Sequence, residues 1–306
     1  MRTFVIRLGI VSLALAASVA VAAAQERASL LVTPAWLAAH LHDANLVLLH
    51  VGDRDKFHDG HIPGAQFISL ADISVPDMSQ MHEMGPGHLM LELPPIEKLT
   101  SAFESRGISA NSRIVVYFGE NQASPATRVV WTLAYYGLGD RVSLLNGGMP
   151  AWKRAGNEVT SEIKTPTPGK LTPHLQPELF ADAAWVSMHL HQAGLSVIDA
   201  RTPESYAGRD ERRGSRAGHI PGAENIPIET LIDDRGQLKD AAALESIFVK
   251  AGVHPGNKVV SYCYIGQRAT LIWLVAKMLG HDARLYDGSW EDWSARTDLP
   301  VEKTEQ

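Results

Sequence analysis

Short apolar runs alternate along the chain with longer segments in which apolar residues recur at helical spacing. One succession consists of an apolar strand at residues 115–117, a helical segment at 127–136 and a second strand at 142–145. Strands that alternate with helices indicate α/β units around a mainly parallel sheet with helices on both faces. In that architecture ligands bind at the carboxyl ends of the strands. The pattern therefore predicts an α/β fold with a site at that edge of a sheet.

The pattern of the first half of the chain returns in the second. The recurring landmarks are a helix start at 33–37 and 182–186, the sequence Gly-His-Ile-Pro-Gly-Ala at 60–65 and 218–223, a strand at 113–117 and 258–262, and a glycine-containing turn followed by tryptophan at 144–152 and 284–293. They occur in one order at a spacing of about 150 residues, far longer than a solenoid repeat. The chain is therefore predicted to contain two copies of one domain.

A proline-rich stretch separates the two copies. Its prolines are Pro166, Pro168, Pro173 and Pro177. Proline disfavours helix interiors and central strands, so residues 160–177 are predicted to be a linker. One domain is then expected at residues 28–159 and the other at 178–301.

The N-terminus has the pattern of an export signal. Arg2 and Arg7 lead into an apolar run at residues 8–21, and three alanines follow at 22–24. This is typical of a secretory signal peptide, which we predict at residues 1–24. The alternative is an uncleaved anchor helix, although the run is slightly short for a membrane span. The expected location is periplasmic or secreted, with no membrane contact after cleavage.

Composition narrows the range of partners. The net charge is −6 and the isoelectric point is near 6.1, which gives no reason to expect nucleic acid as a partner. Hydrophobic residues make up 45% of the chain, and this is ample for two cores. We expect two globular domains and no nucleic-acid partner.

Cys263 is the only cysteine in 306 residues. It follows an apolar strand at 259–262 and precedes a mostly apolar run at 271–279, so it is predicted to lie where a strand ends and a helix is about to begin. The free N–H groups at a helix start favour a negative charge such as a thiolate. A buried structural cysteine is the alternative. An exported chain gains little from one unpaired structural thiol, so a reactive role is favoured.

The residues after Cys263 are suited to binding an anion. Gly266 supplies the permissive backbone that a tight turn needs, and such a turn directs several N–H groups at one point. Arg268 adds a permanent positive charge, with a solvated first-turn arginine as the alternative. Four residues separate Cys263 from Arg268, and this short spacing suits a sulfur atom carried on the cysteine better than a phosphoryl group.

Together these landmarks resemble the tandem-domain form of the rhodanese family of sulfurtransferases. The segments that carry the resemblance are 199–201, 218–223, 263–270 and 287–293, within a similarity that extends over residues 30–301. Trp290 and Trp293, in the last of these segments, are expected to anchor the core. The resemblance implies two tandem rhodanese-like domains, each a mainly parallel sheet flanked by helices.

The resemblance also implies that the second domain is catalytic and the first is not. In the first domain Phe118 stands at the position of Cys263, and the loop that follows has no thiol. The following helical segment is expected to be retained for the fold. Arg128, within it, is interpreted as a structural ion-pair member.

The chemistry implied by the resemblance is sulfur transfer through a persulfide. The Cys263 thiolate is expected to take the outer sulfur of thiosulfate and pass it to a thiophilic acceptor such as cyanide or a thiol. The residues expected to bind the anionic sulfur are Tyr264, Ile265, Gly266, Gln267 and Arg268. This cycle requires no metal and no organic cofactor. The expected partners are a small anionic sulfur donor and the acceptor.

Two alternatives to thiosulfate transfer remain at this stage. One is transfer from 3-mercaptopyruvate, since Tyr264 and Ile265 match neither of the loops familiar in the family. Arg268 favours thiosulfate over this donor. The other is a non-catalytic binding protein that uses the fold as a platform, and the presence of Cys263 with Arg268 argues against it.

Four further polar residues are interpreted as structural. His61 and His219, in the two recurring Gly-His-Ile-Pro-Gly turns, are expected to hydrogen-bond the backbone rather than to catalyse. Asp199 and Arg201 lie at a strand end. They are expected to form an ion pair that holds the fold, with a position in the pocket wall as the alternative.

Two segments occur in one domain each. A charged run at 209–216 in the second domain is expected to be a solvated loop, although Arg212, Arg213 and Arg216 could steer anionic donors. A methionine- and histidine-rich stretch in the first domain contains Met78, Met81, His82, Met84, His88 and Met90. Its thioethers and imidazoles suit Cu(I). The favoured interpretation is a flexible loop that covers the domain interface with adaptably packed methionines.

Overall fold

Two copies of one α/β domain make up the part of the chain that a computed structural model describes, residues 30–75, 89–120, 122–210 and 215–304. Each copy has a five-stranded sheet in which all neighbouring strands are parallel. This confirms the predicted fold class and the duplication.

The first sheet has the strand order β1-β5-β4-β2-β3. Its strands are β1 Leu31–Val32, β2 Leu46–Val51, β3 Gln66–Ile68, β4 Arg113–Phe118 and β5 Val142–Leu145. The helices are α1 Pro34–His40, α2 Arg54–Asp59, α3 Ile96–Glu104, α4 Ser124–Leu133 and α5 Gly148–Arg154, with a 3-10 turn at Leu70–Asp72 and a π turn at Ala134–Leu138.

The second sheet repeats this order as β6-β10-β9-β7-β8. Its strands are β6 Phe180–Ala181, β7 Leu195–Asp199, β8 Glu224–Asn225, β9 Lys258–Tyr262 and β10 Ala283–Tyr286. The helices are α6 Ala183–His189, α7 Pro203–Tyr206, α8 Ala241–Lys250, α9 Ala269–Met278 and α10 Ser289–Ala295, with 3-10 turns at Pro177–Leu179 and Ile228–Leu231.

The two copies begin in the same way because each first helix carries a side-chain cap. Thr33 Oγ accepts the N–H of Trp36 at 3.1 Å, and Asp182 Oδ1 accepts the N–H of Trp185 at 2.7 Å. Each cap satisfies a donor that the first helical turn leaves without a partner. The structure therefore confirms that a helix begins at each of the two positions predicted from the sequence.

One buried tyrosine in each domain shows which residues of the two central strands correspond. The Tyr117 hydroxyl accepts the N–H of Ile62 at 3.1 Å, and the Tyr262 hydroxyl accepts the N–H of Ile220 at 3.2 Å. Each tyrosine is the partner of the recurring Gly-His-Ile-Pro-Gly turn in its own domain. The residue after Tyr117 is Phe118, so Phe118 occupies the position of Cys263.

Helix α4 differs from the segment predicted at 127–136. It begins at Ser124, because Pro125 fits the first turn of a helix, and its α-helical part ends at Leu133. A π turn follows, in which Gly137 has φ of 107°, a conformation that favours glycine.

The predicted linker runs along the first domain. Thr160 pairs with His61, and the N–H of Gly169 donates to the Glu104 carbonyl at 2.7 Å. A Cβ on Gly169 would lie 1.9 Å from the Ile108 carbonyl oxygen, so the backbone can approach this closely only at a glycine.

The two domains share one hydrophobic core. Its buried residues come from both sheets, and helix α4 packs against its counterpart α9. At this contact the hydroxyls of Thr127 and Thr270 are 2.7 Å apart. The carboxyl ends of β4 and β9 therefore lead into two helices that contact each other across the domain boundary.

The predicted signal peptide lies outside the described residues. Among the helices that are described, none has both the length and the apolar character needed to span a bilayer.

Candidate active site

Cys263 lies immediately after β9, the central strand of the second sheet. Its N–H donates to Ser289 Oγ at 3.2 Å, and its carbonyl accepts the N–H of Trp290 at 3.0 Å. The residue is 1% exposed. The start of α10 therefore fixes the backbone on both sides of the thiol.

Gly266 turns the loop between Cys263 and α9. It has φ of +74°, and a Cβ at this position would lie 2.5 Å from the Asp287 carbonyl oxygen. The expectation that Gly266 supplies a permissive backbone is confirmed, and the close approach to Asp287 gives a second reason for glycine.

The loop presents backbone donors without acceptors. Within the described chain, the N–H groups of residues 265–268 donate to no other residue. The Gln267 carbonyl accepts the Thr270 hydroxyl at 2.7 Å, and the Gln267 amide donates to Ser124 Oγ at 3.2 Å. Free N–H groups in a tight turn before a helix form a concavity that suits an anion.

A guanidinium from the first domain supports this loop. Arg128 donates to the Gly266 carbonyl at 3.2 Å and forms a buried ion pair with Asp287. It also donates to the Leu91 carbonyl. The sequence-based interpretation of Arg128 as an ion-pair member is confirmed. Two of its partners, Gly266 and Asp287, belong to the loop region of the other domain, and the third, Leu91, belongs to its own.

A small pocket of about 70 Å³ opens beside the loop. Its wall is formed by Arg201, Thr202, Ser205, Asp210, Ser215, Tyr264, Arg268 and Trp290. Tyr264 and Arg268 thus bring both ends of the predicted binding loop to one space. Ile265, Gly266 and Gln267 lie between them in the same loop.

Arg201 fulfils both of the roles considered for it. Its guanidinium pairs with both carboxylate oxygens of Asp199 and donates to the Gly218 carbonyl at 2.7 Å. It also lies 4.5 Å from the centre of the Trp290 ring and lines the pocket. The side chain is 7% exposed, and burial together with these partners holds it in one place.

Arg268 has an acidic partner. Its Nη2 donates to Glu229 Oε1, and the two side chains are 35% and 62% exposed. Its Nε is buried and has no hydrogen-bond partner among the described residues. The guanidinium is therefore at the pocket wall but already paired with a carboxylate.

Carboxyl groups from both domains lie close together near the loop. The N–H of Met90 donates to Glu291 at 2.8 Å, and the N–H of Leu93 donates to Asp287 at 3.2 Å. Glu92 lies between these two contacts in sequence, and its Oε1 is buried without a partner among the described residues. Burial, together with the charges of Asp287, Asp292 and Glu291, raises the pKa of Glu92 to about 8, although Arg128 opposes the shift.

The two recurring histidines are structural, as predicted. His61 Nδ1 contacts the Phe57 carbonyl at 2.8 Å, and His219 Nδ1 contacts the Tyr206 carbonyl at 2.8 Å. Trp290 and Trp293 are buried, which confirms their expected place in the core.

The charged run at 209–216 is only partly a solvated loop. Arg209 and Asp210 are exposed, whereas the Arg216 guanidinium donates to four backbone carbonyls, those of Trp293, Ser294, Arg296 and Leu299. Arg216 is a structural residue for this reason. Arg212 and Arg213 lie outside the described residues.

The methionine- and histidine-rich segment lies outside the described residues except for Met90. Met90 joins the two domains through its N–H, as given above.

In the first domain Phe118 takes the place of the thiol, and it lines an open pocket at the carboxyl ends of β2 and β4. The Phe118 ring packs against Gly148, where a Cβ would lie 2.7 Å from the ring, and Gly148 is the counterpart of Ser289. His50, the counterpart of Asp199 in strand register, is buried with neither ring nitrogen paired among the described residues. Burial lowers the pKa of His50 to about 4, so the imidazole is neutral.

Sequence reasoning missed Ser289, Glu92 and Glu229. Ser289 could have been found from the repeat, because Asn146-Gly147-Gly148 aligns with Asp287-Gly288-Ser289 and Ser289 has φ of 52°. No local pattern marks Glu92 or Glu229, because their partners come from distant segments.

Comparison with known proteins agrees with the fold and its duplication. A family model described as a rhodanese-like domain matches the chain twice, at residues 33–155 and 182–296. The chain belongs to the rhodanese family and has two such domains in tandem.

Two relatives are similar over nearly their whole length. A thiosulfate sulfurtransferase of Azotobacter vinelandii is 31% identical over 274 residues, which cover 89% of this chain and 97% of the relative. A 3-mercaptopyruvate sulfurtransferase of Escherichia coli K12 is 31% identical over 280 residues, which cover 87% and 95%. Among solved structures, wild-type EanB superposes with a TM-score of 0.77 at 22% identity, over 92% of this chain and 70% of EanB. This last similarity is one of fold.

Proposed function

We propose that this protein moves a sulfane sulfur from thiosulfate to a thiophilic acceptor, such as cyanide or a thiol, through a persulfide on Cys263. The protein is a sulfurtransferase. The observation that carries the residue assignment is a single thiol at the carboxyl end of a central strand, followed by free N–H groups and Arg268.

The proposed cycle has two displacements. In the first, the Cys263 thiolate attacks the outer sulfur of thiosulfate, a sulfur–sulfur bond forms, and sulfite leaves with the electron pair of the bond that breaks. In the second, cyanide attacks the outer sulfur of the persulfide, thiocyanate leaves, and the thiolate is restored. The N–H groups of residues 265–268 and the Arg268 guanidinium stabilise anionic sulfur in both steps.

The test uses the intact protein and its cysteine variant. After incubation with thiosulfate, the wild type is expected to gain the mass of one sulfur atom, and cyanide is expected to release it as thiocyanate. The Cys263→Ser variant is expected to do neither. If that variant still forms thiocyanate from thiosulfate and cyanide, the assignment is wrong. If the wild type takes up no sulfur from any donor, the non-catalytic alternative stands.

A second donor is 3-mercaptopyruvate. Two observations favour it: the E. coli relative bears that name, and Glu229 already neutralises Arg268 in the pocket. Comparison of kcat/KM for the two donors, with cyanide as the common acceptor, separates the alternatives. If kcat/KM is higher for 3-mercaptopyruvate, that compound replaces thiosulfate as the proposed donor.

Export is also part of the proposal. The basic and apolar N-terminus supports cleavage after Ala24 and a periplasmic or secreted location. N-terminal sequencing of the mature protein from cell fractions is expected to begin at Gln25. A mature chain that begins at Met1 in the cytoplasmic fraction would contradict it.

A further inference from the structure

We propose that Glu229 is an exchangeable counterion of Arg268, which an anionic sulfur donor must displace as it enters the pocket, and that Glu229 thereby sets the apparent affinity for such donors. The proposal rests on the proposed function, since it concerns the same pocket.

Glu229 reaches the pocket from an element that is remote in sequence. It lies in the 3-10 turn Ile228–Leu231, which follows β8, and its carboxylate accepts from Arg268 Nη2. Arg268 is the last residue before α9 and forms part of the pocket wall. The ion pair therefore stands at the boundary between the pocket and solvent.

The exposure of the pair indicates that it can open. Glu229 is 62% exposed and Arg268 is 35% exposed. Ion pairs between solvated side chains contribute little net stability, because water and salt compete with each partner. The oxygens of a thiosulfate ion can accept the same charge-assisted hydrogen bonds from a guanidinium as the carboxylate does.

The other arginine of the pocket does not share this property. Arg201 is 7% exposed, and Asp199 and the Gly218 carbonyl hold its guanidinium. Removal of Asp199 would leave buried charge without a partner, which is costly. Arg268 is therefore the arginine of the described pocket wall whose carboxylate partner can leave at low cost.

The charge balance of the pocket favours the exchange. Asp199 balances Arg201 and Glu229 balances Arg268, while Asp210 adds a carboxylate that accepts the Ser205 hydroxyl at 2.9 Å. Within the described residues, the wall thus offers an entering anion no unpaired positive charge. An anion that binds beside Arg268 meets the repulsion of the Glu229 carboxylate until that carboxylate moves away.

The matched experiment compares wild type, Glu229→Gln and Glu204→Gln. Glu204 is an exposed carboxylate between the pocket residues Thr202 and Ser205, and no described residue forms an ion pair with it. Its variant has the same change of net charge close to the same pocket. The KM for thiosulfate is expected to fall about two- to fivefold in Glu229→Gln, the factor that corresponds to a surface ion pair. In Glu204→Gln it is expected to stay near the wild-type value.

A second readout does not depend on the identity of the donor. Cys263 is alkylated with iodoacetate, an anion, and with iodoacetamide, a neutral reagent of similar size. The ratio of the two rates is expected to rise about two- to fivefold in Glu229→Gln and to stay unchanged in Glu204→Gln.

The outcomes separate this inference from the proposed function. If the alkylation ratio is the same in all three proteins, or rises equally in Glu204→Gln, Glu229 is not a specific counterion and the inference is overturned. If the ratio rises in Glu229→Gln alone while thiosulfate loads no sulfur onto the wild type, the inference stands for anions in general and the proposed donor is wrong.

Discussion

The Arg128 guanidinium of the first domain and the Asp287 carboxylate of the second form a buried ion pair against the Cys263 loop, with side chains 0% and 1% exposed. The same guanidinium donates to the Gly266 carbonyl. In a planar trans peptide the C=O and the following N–H point in opposite directions. With its carbonyl held by Arg128, the peptide therefore directs the N–H of Gln267 away from the first domain. The first domain thus helps to orient the loop that we propose binds anionic sulfur.

The first prediction concerns this ion pair. Arg128→Leu leaves Asp287 buried without its partner and is expected to lower the free energy of unfolding by about 3–5 kcal/mol. Because the Gly266 carbonyl also loses its donor, kcat is expected to fall roughly tenfold to a hundredfold. Urea unfolding followed by steady-state assays in the folded range measures both quantities.

Two variants separate orientation of the loop from loss of stability. Arg128→Lys keeps the charge without the planar fork of donors, so it should recover part of the stability but little of kcat. Arg106→Leu removes another ion pair, that with Asp72 in the first domain, and is expected to lower the free energy of unfolding without lowering kcat. Full recovery of kcat in Arg128→Lys would show that Arg128 does not act by positioning the Cys263 loop.

The second prediction concerns Gly266. Gly266→Ala would bring a Cβ to 2.5 Å from the Asp287 carbonyl oxygen in a backbone region that L-residues avoid. It is expected to cost more stability than Gly252→Ala, where φ is +70° and nothing lies within 4 Å of a Cβ. The control should lose about 1 kcal/mol and keep its activity, whereas Gly266→Ala should lose most of its thiocyanate formation. If Gly266→Ala and Gly252→Ala lowered the free energy of unfolding equally and lowered turnover equally, this account of the loop would be contradicted.

Local pattern and internal repetition explain what the sequence predicted well. The strands around Tyr117 and Tyr262, the capped first helices and the turn at Gly266 depend on neighbours in sequence. The second copy served as a control within the same chain, since Phe118 at the position of Cys263 implied that the fold does not need the thiol. The register of the two central strands bears out that equivalence.

The contacts that shape the site could not be read from local pattern. Arg128 and Asp287 are 159 residues apart, and Arg268 and Glu229 are 39 apart. Their meeting depends on how α4 docks on α9 and on where the turn after β8 lies. Arg128 therefore had an expected role without an expected partner. Glu229 and Glu92 had neither.

The third prediction concerns Ser289. Its hydroxyl accepts the Cys263 N–H and donates to the Tyr286 carbonyl at 2.8 Å, although its backbone is left-handed with φ of 52°. Ser289→Ala leaves a buried N–H without an acceptor and is expected to cost about 1–3 kcal/mol. Ser289→Gly loses the same hydrogen bonds but relieves the backbone, so it should be about 1 kcal/mol more stable than the alanine variant. Urea unfolding of the three proteins checks this order, and an alanine variant as stable as wild type would refute it.

The last prediction concerns the pH dependence of stability. The folded protein holds the Glu92 pKa at about 8, above the ordinary value of 4.5. Between these values the folded chain retains a proton that the unfolded chain has released, so the contribution of Glu92 to stability is fully present below about pH 4.5. It declines as the pH rises and is lost above pH 8. The groups that face Glu92 are the carboxylates of Asp287, Glu291 and Asp292, which favour its neutral form, and Arg128, which favours the charged form.

Glu92→Gln places a neutral amide at this position and removes the titration. The free energy of unfolding of the wild type minus that of the variant is expected to fall from pH 5 to pH 8, with a slope that does not exceed about 1.4 kcal/mol per pH unit. The matched control is Glu97→Gln, on the exposed face of α3, which should give a profile parallel to that of the wild type. Urea unfolding at a series of pH values measures the free energy of unfolding of all three proteins. If the difference in this free energy between wild type and Glu92→Gln is constant from pH 5 to pH 8, Glu92 is already ionised at pH 5 and the prediction is wrong. In the expected case, raising the pH charges a carboxyl group beside the Arg128–Asp287 pair, and the contact that orients the Cys263 loop weakens together with the interface between the domains.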